Sequence, residues 1–216
     1  MATEVTMGKR RYSSELREQQ AAATRERVVR AAAELFASRG YAATSLPQIA
    51  RAAGVSTETV QGHGPKLRLL RTAIDQYAFG ARSDQALIDT PLGARFLEAG
   101  SIADAARISA DILVQVNGGT HGLWLAFSEA ARGDAKLARE LRVLAERIRA
   151  ENLAILRLWR ERGWLRDDVS DDVLARWSDV ISSVEVYDRV VRVEGSSLDE
   201  YRDLLERLLL ELLARR

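Results

Sequence analysis

The stretch 46–63, LPQIARAAGVSTETVQGH, constrains the fold of this chain more than any other segment. Ala50 is small enough to let a second helix cross close above the first, and Gly54 follows where the chain must turn with a positive φ. Ser56 is a natural N-cap for the next helix. The apolar positions of this pattern are Ile49, Ala53, Val55 and Val60. The joint spacing predicts a helix-turn-helix, so recognition of DNA is the first functional hypothesis.

The flanking segments extend this pattern in both directions. Upstream, residues 24–45, TRERVVRAAAELFASRGYAATS, carry an apolar stripe that ends at Gly40, with Tyr41 packing at the turn. Downstream, PKLRLLRTAIDQYA begins a longer helix. Together these segments resemble the TetR family of one-component bacterial regulators, strongly over the first third of the chain and weakly beyond it. The resemblance implies an all-α fold, with an N-terminal three-helix helix-turn-helix domain followed by an all-helical ligand-binding and dimerisation domain.

The resemblance divides the chain into three parts. Residues 1–23 are expected to form a basic N-terminal arm, residues 24–66 the helix-turn-helix domain, and residues 67–216 the ligand-binding and dimerisation domain. A basic arm can lie on the DNA backbone or in the minor groove. A disordered, solubilising tail is the alternative, because Glu15 and Glu18 dilute the charge. The basic residues of the arm are Lys9, Arg10, Arg11 and Arg17.

The second helix of the motif, which would read the DNA, departs from the family pattern. Gln61 and Gly64 stand where the family usually carries tyrosine and phenylalanine, and Pro47 stands where it often has arginine. Gly62 and Gly64 each weaken a helix by roughly 1 kcal/mol relative to alanine. We therefore expect the last turn of this recognition helix to be short or frayed, and operator preference does not transfer from relatives.

Eight residues are predicted to face DNA. Gln61 is the best candidate for reading a base edge, while Thr59 and Lys66 are expected to contact the phosphate backbone. Glu58 either accepts a hydrogen bond from a cytosine or complements the start of its own helix. The predicted DNA-facing residues are Thr44, Ser45, Thr57, Glu58, Thr59, Gln61, His63 and Lys66.

The charge distribution agrees with an N-terminal domain that faces phosphate. Residues 1–80 hold 12 Lys and Arg against 7 Asp and Glu, whereas the remaining residues hold 20 against 24. Ordinary variation between solvated faces is the alternative explanation. The first residues lack the apolar segment of a signal peptide, and no apolar run reaches the roughly 18–20 residues of a membrane span. We expect a cytoplasmic protein without a membrane partner.

The composition disfavours catalysis. The chain has no cysteine, which excludes a disulfide, a thiolate zinc site and a cysteine nucleophile, and its two histidines are far apart in sequence. It has no glycine-rich phosphate loop, and the acidic run 167–172 suits a helix N-terminus. We predict no enzymatic activity, no cofactor and no metal. The alternative to a regulator is a dimeric small-molecule or protein-binding module whose DNA binding is weakened or lost.

Beyond residue 80 the pattern predicts helices and almost no strand. Polar or glycine-containing breaks are expected at 90–93, 117–120 and 133–134. The predicted helices are 66–88, 101–117, 121–132, 134–162, 170–193 and 197–215.

The last two of these helices are unusually apolar. The leucines of the final helix cover more than one face, so a second apolar partner is expected, most simply the same helices of a second subunit. A homodimer would also place two recognition helices about one duplex turn apart, roughly 34–36 Å, on a palindromic site. The residues predicted to dimerise are Trp177, Val180, Ile181, Val184, Leu205, Leu208, Leu209 and Leu212.

A ligand cavity is hard to locate from sequence, because core and cavity residues look alike. Aromatic residues of the C-terminal part could form its walls, and lone polar residues on apolar faces could orient an unidentified small-molecule effector. The predicted ligand-binding residues are Phe96, Gln115, Trp124, Phe127, Ser128, Trp159 and Trp177.

Overall fold

The computed structural model describes the backbone of residues 3–79 and 90–215, and the side chains of residues 17–78 and 90–215 apart from Leu92. The described residues form helices and no β-strand, which confirms the all-α fold. None of these helices is both long and apolar enough to cross a lipid bilayer. The helices are α1 (Thr3–Ala43), α2 (Leu46–Ala53), α3 (Thr57–Gly62), α4 (Lys66–Phe79), α5 (Pro91–Glu98), α6 (Ile102–Gly133), α7 (Ala135–Glu161), α8 (Asp171–Ile181), α9 (Val184–Tyr187), the π-helical turn Asp188–Val193 and α10 (Leu198–Leu213).

Helix α1 includes most of the predicted N-terminal arm, because its backbone is helical from Thr3. The side chains of Lys9, Arg10 and Arg11 lie outside the described residues, whereas Arg17 is exposed. The regular helix ends at Gly40, whose φ of 79° and ψ of 165° are non-helical. Gly40 therefore redirects the chain into α2, as the sequence predicts.

The helix-turn-helix forms as the sequence pattern predicts. Pro47 occupies the first turn of α2, and Gly54 ends that helix with φ 65° and ψ 40°, in the left-handed region. Ser56 then caps α3, because its Oγ accepts a hydrogen bond from the Thr59 amide at 3.1 Å. The buried residues that lock α2 and α3 together are Ile49, Ala50, Ala53 and Val60.

The break predicted at 117–120 is wrong, because α6 runs without interruption from Ile102 to Gly133. The Asn117 amide group does not compete with the helix backbone. Its Nδ2 donates to the Ser182 carbonyl at 3.0 Å and to the Tyr201 hydroxyl at 2.9 Å. The glycines of this segment allow close packing, since an added Cβ at Gly119 would lie 3.2 Å from the Tyr77 carbonyl oxygen of α4. Tertiary contacts thus stabilise a helix that local propensity would interrupt.

Two other boundaries differ from the prediction, and a third is not tested. A short helix, α5, occupies the expected break at 90–93, because Pro91 fits a first helical turn and the Thr90 hydroxyl accepts the Gly93 amide at 3.0 Å. The predicted helix 170–193 divides after α8, where Ser183 caps α9. Helix α4 extends to residue 79, and residues 80–88 of the predicted helix 66–88 lie outside the described residues. The predictions for 134–162 and 197–215 are confirmed within a few residues.

Helix α4 connects the N-terminal helices to the rest of the fold. Leu69, Leu70 and Ala73 are buried in one cluster with residues of α1, α2, α6 and α7. On its other side, Arg71 Nη1 lies 2.8 Å from Glu140 Oε2 of α7, and Arg147 of α7 binds the Asp75 carboxylate. The N-terminal core therefore continues into the larger helical domain without a solvent-filled gap.

Candidate nucleic-acid interface and ligand cavity

The recognition helix α3 is short, as the two glycines predict. It spans six residues and ends at Gly62, with His63 as its C-cap. Gly64 follows with φ 111°, which side-chain-bearing residues rarely adopt, and so turns the chain towards α4.

The exposed side of α3 carries several of the predicted DNA-facing residues. Glu58 and Gln61 are exposed, while Thr57, Thr59 and His63 are half-buried. Hydrogen bonds from its own backbone amide and from the Ser56 hydroxyl lower the pKa of Glu58, so this carboxylate complements the helix start. Burial and the nearby Arg25 charge lower the pKa of His63, which favours its neutral form. Gln61 is an exposed, uncharged side chain of α3, and base reading by it stays a prediction.

One of the predicted DNA-facing side chains, that of Thr44, points into the protein instead. The Thr44 side chain is buried, and its hydroxyl lies 2.8 Å from the Gly40 carbonyl oxygen and 3.2 Å from that of Leu35. Thr44 is therefore corrected to a structural residue. Ser45 remains exposed at the start of α2, where its amide donates to Gln48 Oε1 at 2.8 Å.

Lys66 also bonds within the chain. Its Nζ donates to the carbonyl oxygens of Tyr41 and Thr44 at 2.8 and 2.9 Å, and it lies 4.1 Å from the centre of the Tyr41 ring. Burial lowers the pKa of this ammonium group. The contact satisfies carbonyls at the end of α1 and fixes the start of α4. This arrangement gives Lys66 a positioning role that spacing alone did not reveal.

The larger domain encloses a cavity of about 290 Å³ between α4 and the helices that follow it. Of the seven predicted ligand-binding residues, Phe96, Trp124 and Trp159 line it. The other four do not belong to its walls. Gln115 is exposed, Phe127 is fully buried in the cluster that α4 shares with α1, α2, α6 and α7, and Ser128 is half-buried elsewhere. Trp177 of α8 is half-buried, with the Arg166 guanidinium group 5.9 Å from the centre of its ring.

The polar residues of the cavity were missed by sequence analysis. The predicted break at 117–120 obscured one face of α6, on which Ser109, Asn117, Thr120 and Trp124 recur at helical spacing. A continuous helical reading of this segment would have placed them together. The other polar wall residues come from α7, α8 and the start of α9: Glu151, Asn152, Ser178, Asp179, Ser182, Ser183 and Glu185.

Two polar groups of the cavity walls lack a hydrogen-bond partner among the described residues. They are the indole nitrogen of Trp159 and the hydroxyl of Ser178, both in buried side chains. An unpaired buried polar group destabilises a protein by about 1–3 kcal/mol. Such groups favour a molecule that completes their hydrogen bonding. In the described ranges, no group of three or more His, Asp or Glu side chains could hold a metal ion.

The predicted dimerisation residues fall into three sets: buried, half-buried and exposed. Val184, Leu205 and Leu209 are buried within the chain's own core, so they are corrected to intrachain residues. Val180 is 62 % exposed, and Leu204, which was not in the predicted set, is 36 % exposed. Each helix buries one apolar face and leaves other apolar residues outside. The half-buried members of the predicted set are Trp177, Ile181, Leu208 and Leu212.

Comparison with a family model and with solved structures agrees with this geometry. Residues 28–63 match the model described as "Bacterial regulatory proteins, tetR family". NalD of Pseudomonas aeruginosa is 19 % identical with a TM-score of 0.62, and the alignment covers 91 % of this chain and 98 % of NalD. A transcriptional regulator from Saccharomonospora viridis, solved with choline, is 18 % identical with a TM-score of 0.67, covering 89 % and 98 %.

A third structure, titled as a TetR-family transcriptional regulator from Syntrophomonas wolfei, is 17 % identical with a TM-score of 0.70, covering 88 % of this chain and 94 % of that one. A search of curated proteins found no match. Because these identities are low, the structural similarity shows only the fold. The match to the family model covers the helix-turn-helix motif. The chain has the fold of TetR-family regulators, and its residues 28–63 match the model of that family.

Proposed function

We propose that this chain is a homodimeric, ligand-responsive transcriptional regulator that represses its target genes by binding a palindromic operator. In this proposal residues 1–23 are an arm, residues 24–66 bind DNA, and residues 67–216 bind the ligand and dimerise. The DNA-binding part rests on the family motif and on the exposed face of α3. Bacterial DNA lies in the cytoplasm, so we assign the regulator to that compartment.

The observation that carries the ligand-responsive part is the position of α4. At its start, Lys66 is bound to the end of α1 and to the α1–α2 turn. Further along the same helix, Ile74 and Ala78 form part of the cavity wall. A ligand that binds one position of α4 better than another would therefore change the placement of the N-terminal domains.

Two of the similar structures support a small-molecule effector and repression. The S. viridis regulator was solved with choline, and NalD is described as the secondary repressor of a multidrug efflux pump. A cavity with apolar walls and a few polar groups fits such an effector.

Dimerisation would use the exposed apolar residues of α8 and α10. Val180→Glu should weaken it, because the carboxylate would be buried without a partner in the interface. Val143→Glu is the matched control, since Val143 is 50 % exposed and belongs to α7 rather than to α8 or α10. Sedimentation at several protein concentrations should show dissociation of the first variant only. Equal behaviour of the two variants would contradict the proposed interface.

DNA binding is tested by selecting fragments of genomic DNA at near-physiological salt and sequencing what is retained. We expect a short inverted repeat. Gln61→Ala should then lower affinity for it by about 1–3 kcal/mol at one base position. Gln76→Ala, an exposed glutamine on α4, serves as the control and should bind normally. Recovery of no common motif, or no effect of Gln61→Ala, would favour the binding-module alternative.

A further inference from the structure

The charges around the cavity are predominantly negative. Its described wall residues include Glu151, Asp179 and Glu185 but no Lys, Arg or His. Glu185 is exposed, whereas Glu151 and Asp179 are half-buried. Burial of a carboxylate in an apolar cavity is unfavourable unless a cation or several donors compensate its charge.

The neighbouring basic groups balance only part of this charge. Arg147 binds Asp75, which is 4 % exposed behind the wall, and its Nε lies 3.9 Å from Glu151 Oε1. One guanidinium group is thus shared by two carboxylates. Oδ2 of Asp75 has no hydrogen-bond partner among the described residues. Burial and the Asp75 charge raise the pKa of Glu151, against the opposing effect of Arg147.

A second guanidinium group, that of Arg149, lies near the other half-buried carboxylate, that of Asp179. Arg149 Nε lies 4.0 Å from Asp179 Oδ2, and Asn152 Nδ2 donates to Asp179 Oδ1 at 2.7 Å. Glu185 accepts a hydrogen bond from Trp124 Nε1 at 3.3 Å. Four carboxylates at or behind the wall are therefore bound by two guanidinium groups and two neutral donors.

The remaining wall suits the apolar body of a cation. Aliphatic side chains of α4, α6 and α7 line most of the cavity, and Phe96, Trp124 and Trp159 contribute aromatic rings. Organic cations are attracted to aromatic faces as well as to carboxylates. An anion would instead meet three carboxylates and no Lys, Arg or His among the described residues of the wall.

We propose that the effector of this cavity is an organic cation with an apolar body, whose charge lies near Glu151 and Asp179. This inference rests on the proposed ligand-responsive function and specifies its effector class. The cation would supply the positive charge that the wall lacks.

Three probes of equal chain length and different charge test this: decyltrimethylammonium, 1-decanol and decanoate, each below its micelle-forming concentration. Binding is followed by calorimetry and by the fluorescence of the tryptophans, two of which line the cavity. We expect the cation to bind at least tenfold more tightly than the alcohol, and decanoate to bind most weakly. Equal or tighter binding of decanoate or decanol, or no cation binding at millimolar concentration, would overturn the inference.

Replacing the wall carboxylates by neutral isosteric side chains tests where the charge of the bound cation lies. Glu151→Gln and Asp179→Asn should each lower affinity for the cation three- to tenfold and change affinity for decanol less than twofold. Glu146→Gln is the matched control, because Glu146 is an exposed glutamate of the same helix α7. Thermal melting of each variant checks that it folds. Equal loss of cation affinity in Glu146→Gln would show a general surface effect and refute the assigned site.

Adding each probe to the operator complex separates this inference from the proposed function. Release of DNA by the cation alone supports both. Tight, charge-selective binding that leaves the DNA complex intact contradicts the ligand-responsive regulator but upholds the cavity's preference for cations. Release by decanol or decanoate but not by the cation keeps the regulator and overturns the inference.

Discussion

Gly122 of α6 lies so close to α1 that it has no room for a side chain. A Cβ atom added there would be 2.7 Å from the Cβ of Ala37 and 3.1 Å from its Cα. Carbon atoms in contact normally lie about 3.5–4.0 Å apart, so Gly122→Ala requires the two helices to separate by roughly 1 Å. At Gly118, one turn earlier on α6, the nearest atom to an added Cβ would be the Tyr187 hydroxyl at 3.8 Å, which is ordinary contact.

The two glycines form a matched pair from which the steric effect can be extracted. Replacing glycine by alanine inside a helix stabilises it by about 1 kcal/mol at either position. Only Gly122→Ala adds an overpacking penalty, typically about 1–3 kcal/mol. We therefore expect Gly118→Ala to raise the free energy of unfolding by up to about 1 kcal/mol. Gly122→Ala should range from neutral to about 2 kcal/mol less stable than the unsubstituted protein.

Urea denaturation of both variants at one protein concentration measures this difference. Concentration must be held constant because the proposed dimerisation would contribute to apparent stability. Unfolding free energies within about 0.5 kcal/mol of each other would refute the reasoning, since they would show that α1 and α6 are not held in this contact. Helix α6 also lines the cavity, so we expect Gly122→Ala to alter the effect of ligand on DNA affinity.

Three further predictions concern substitutions at single residues. Lys66→Met should destabilise the protein by about 1–3 kcal/mol in urea denaturation, because two charge-assisted hydrogen bonds to carbonyls are lost. The control is Arg68→Met at an exposed position, which should change stability by less than about 0.5 kcal/mol. Gly54→Ala should lower stability by about 1 kcal/mol, since alanine is strained at φ 65°, and an unchanged melting temperature would contradict the left-handed turn. The pKa of Glu151 is raised above 4.5 by burial, so the folded state holds this proton more tightly than the unfolded state does, and the contribution of Glu151 to stability should fall as pH rises from below 4.5 through the folded-state pKa. Across that pH range the free energy of unfolding should have a more negative slope against pH in the unsubstituted protein than in Glu151→Gln, and identical slopes would exclude the shift.

The N-terminal motif could be predicted because its determinants are close in sequence. Gly54 adopts the left-handed turn, Ser56 caps α3, and α3 ends at Gly62, each as its local pattern indicates. Caps, turns and helical stripes depend on residues a few positions apart, so a linear reading captures them. The family resemblance of residues 24–63 then implied the all-α fold.

The cavity and the exposed apolar faces could not be predicted in the same way. Asn117 looked like a helix break, yet it is held by groups 65 and 84 residues away. Lys66 looked like a phosphate contact, but its ammonium group binds carbonyls of the preceding helices. Leucines 205 and 209 looked available for a partner, but both are buried in the chain's own core.

The sequence alone therefore determined the helical class, the helix-turn-helix and the short recognition helix, because these follow from neighbouring residues. Tertiary structure decided that α6 is continuous, which polar side chains share the cavity, and which leucines remain exposed. Those features depend on side chains that meet only after helices distant in sequence have packed together. Helical periodicity states which residues share a face, whereas packing alone decides what that face contacts.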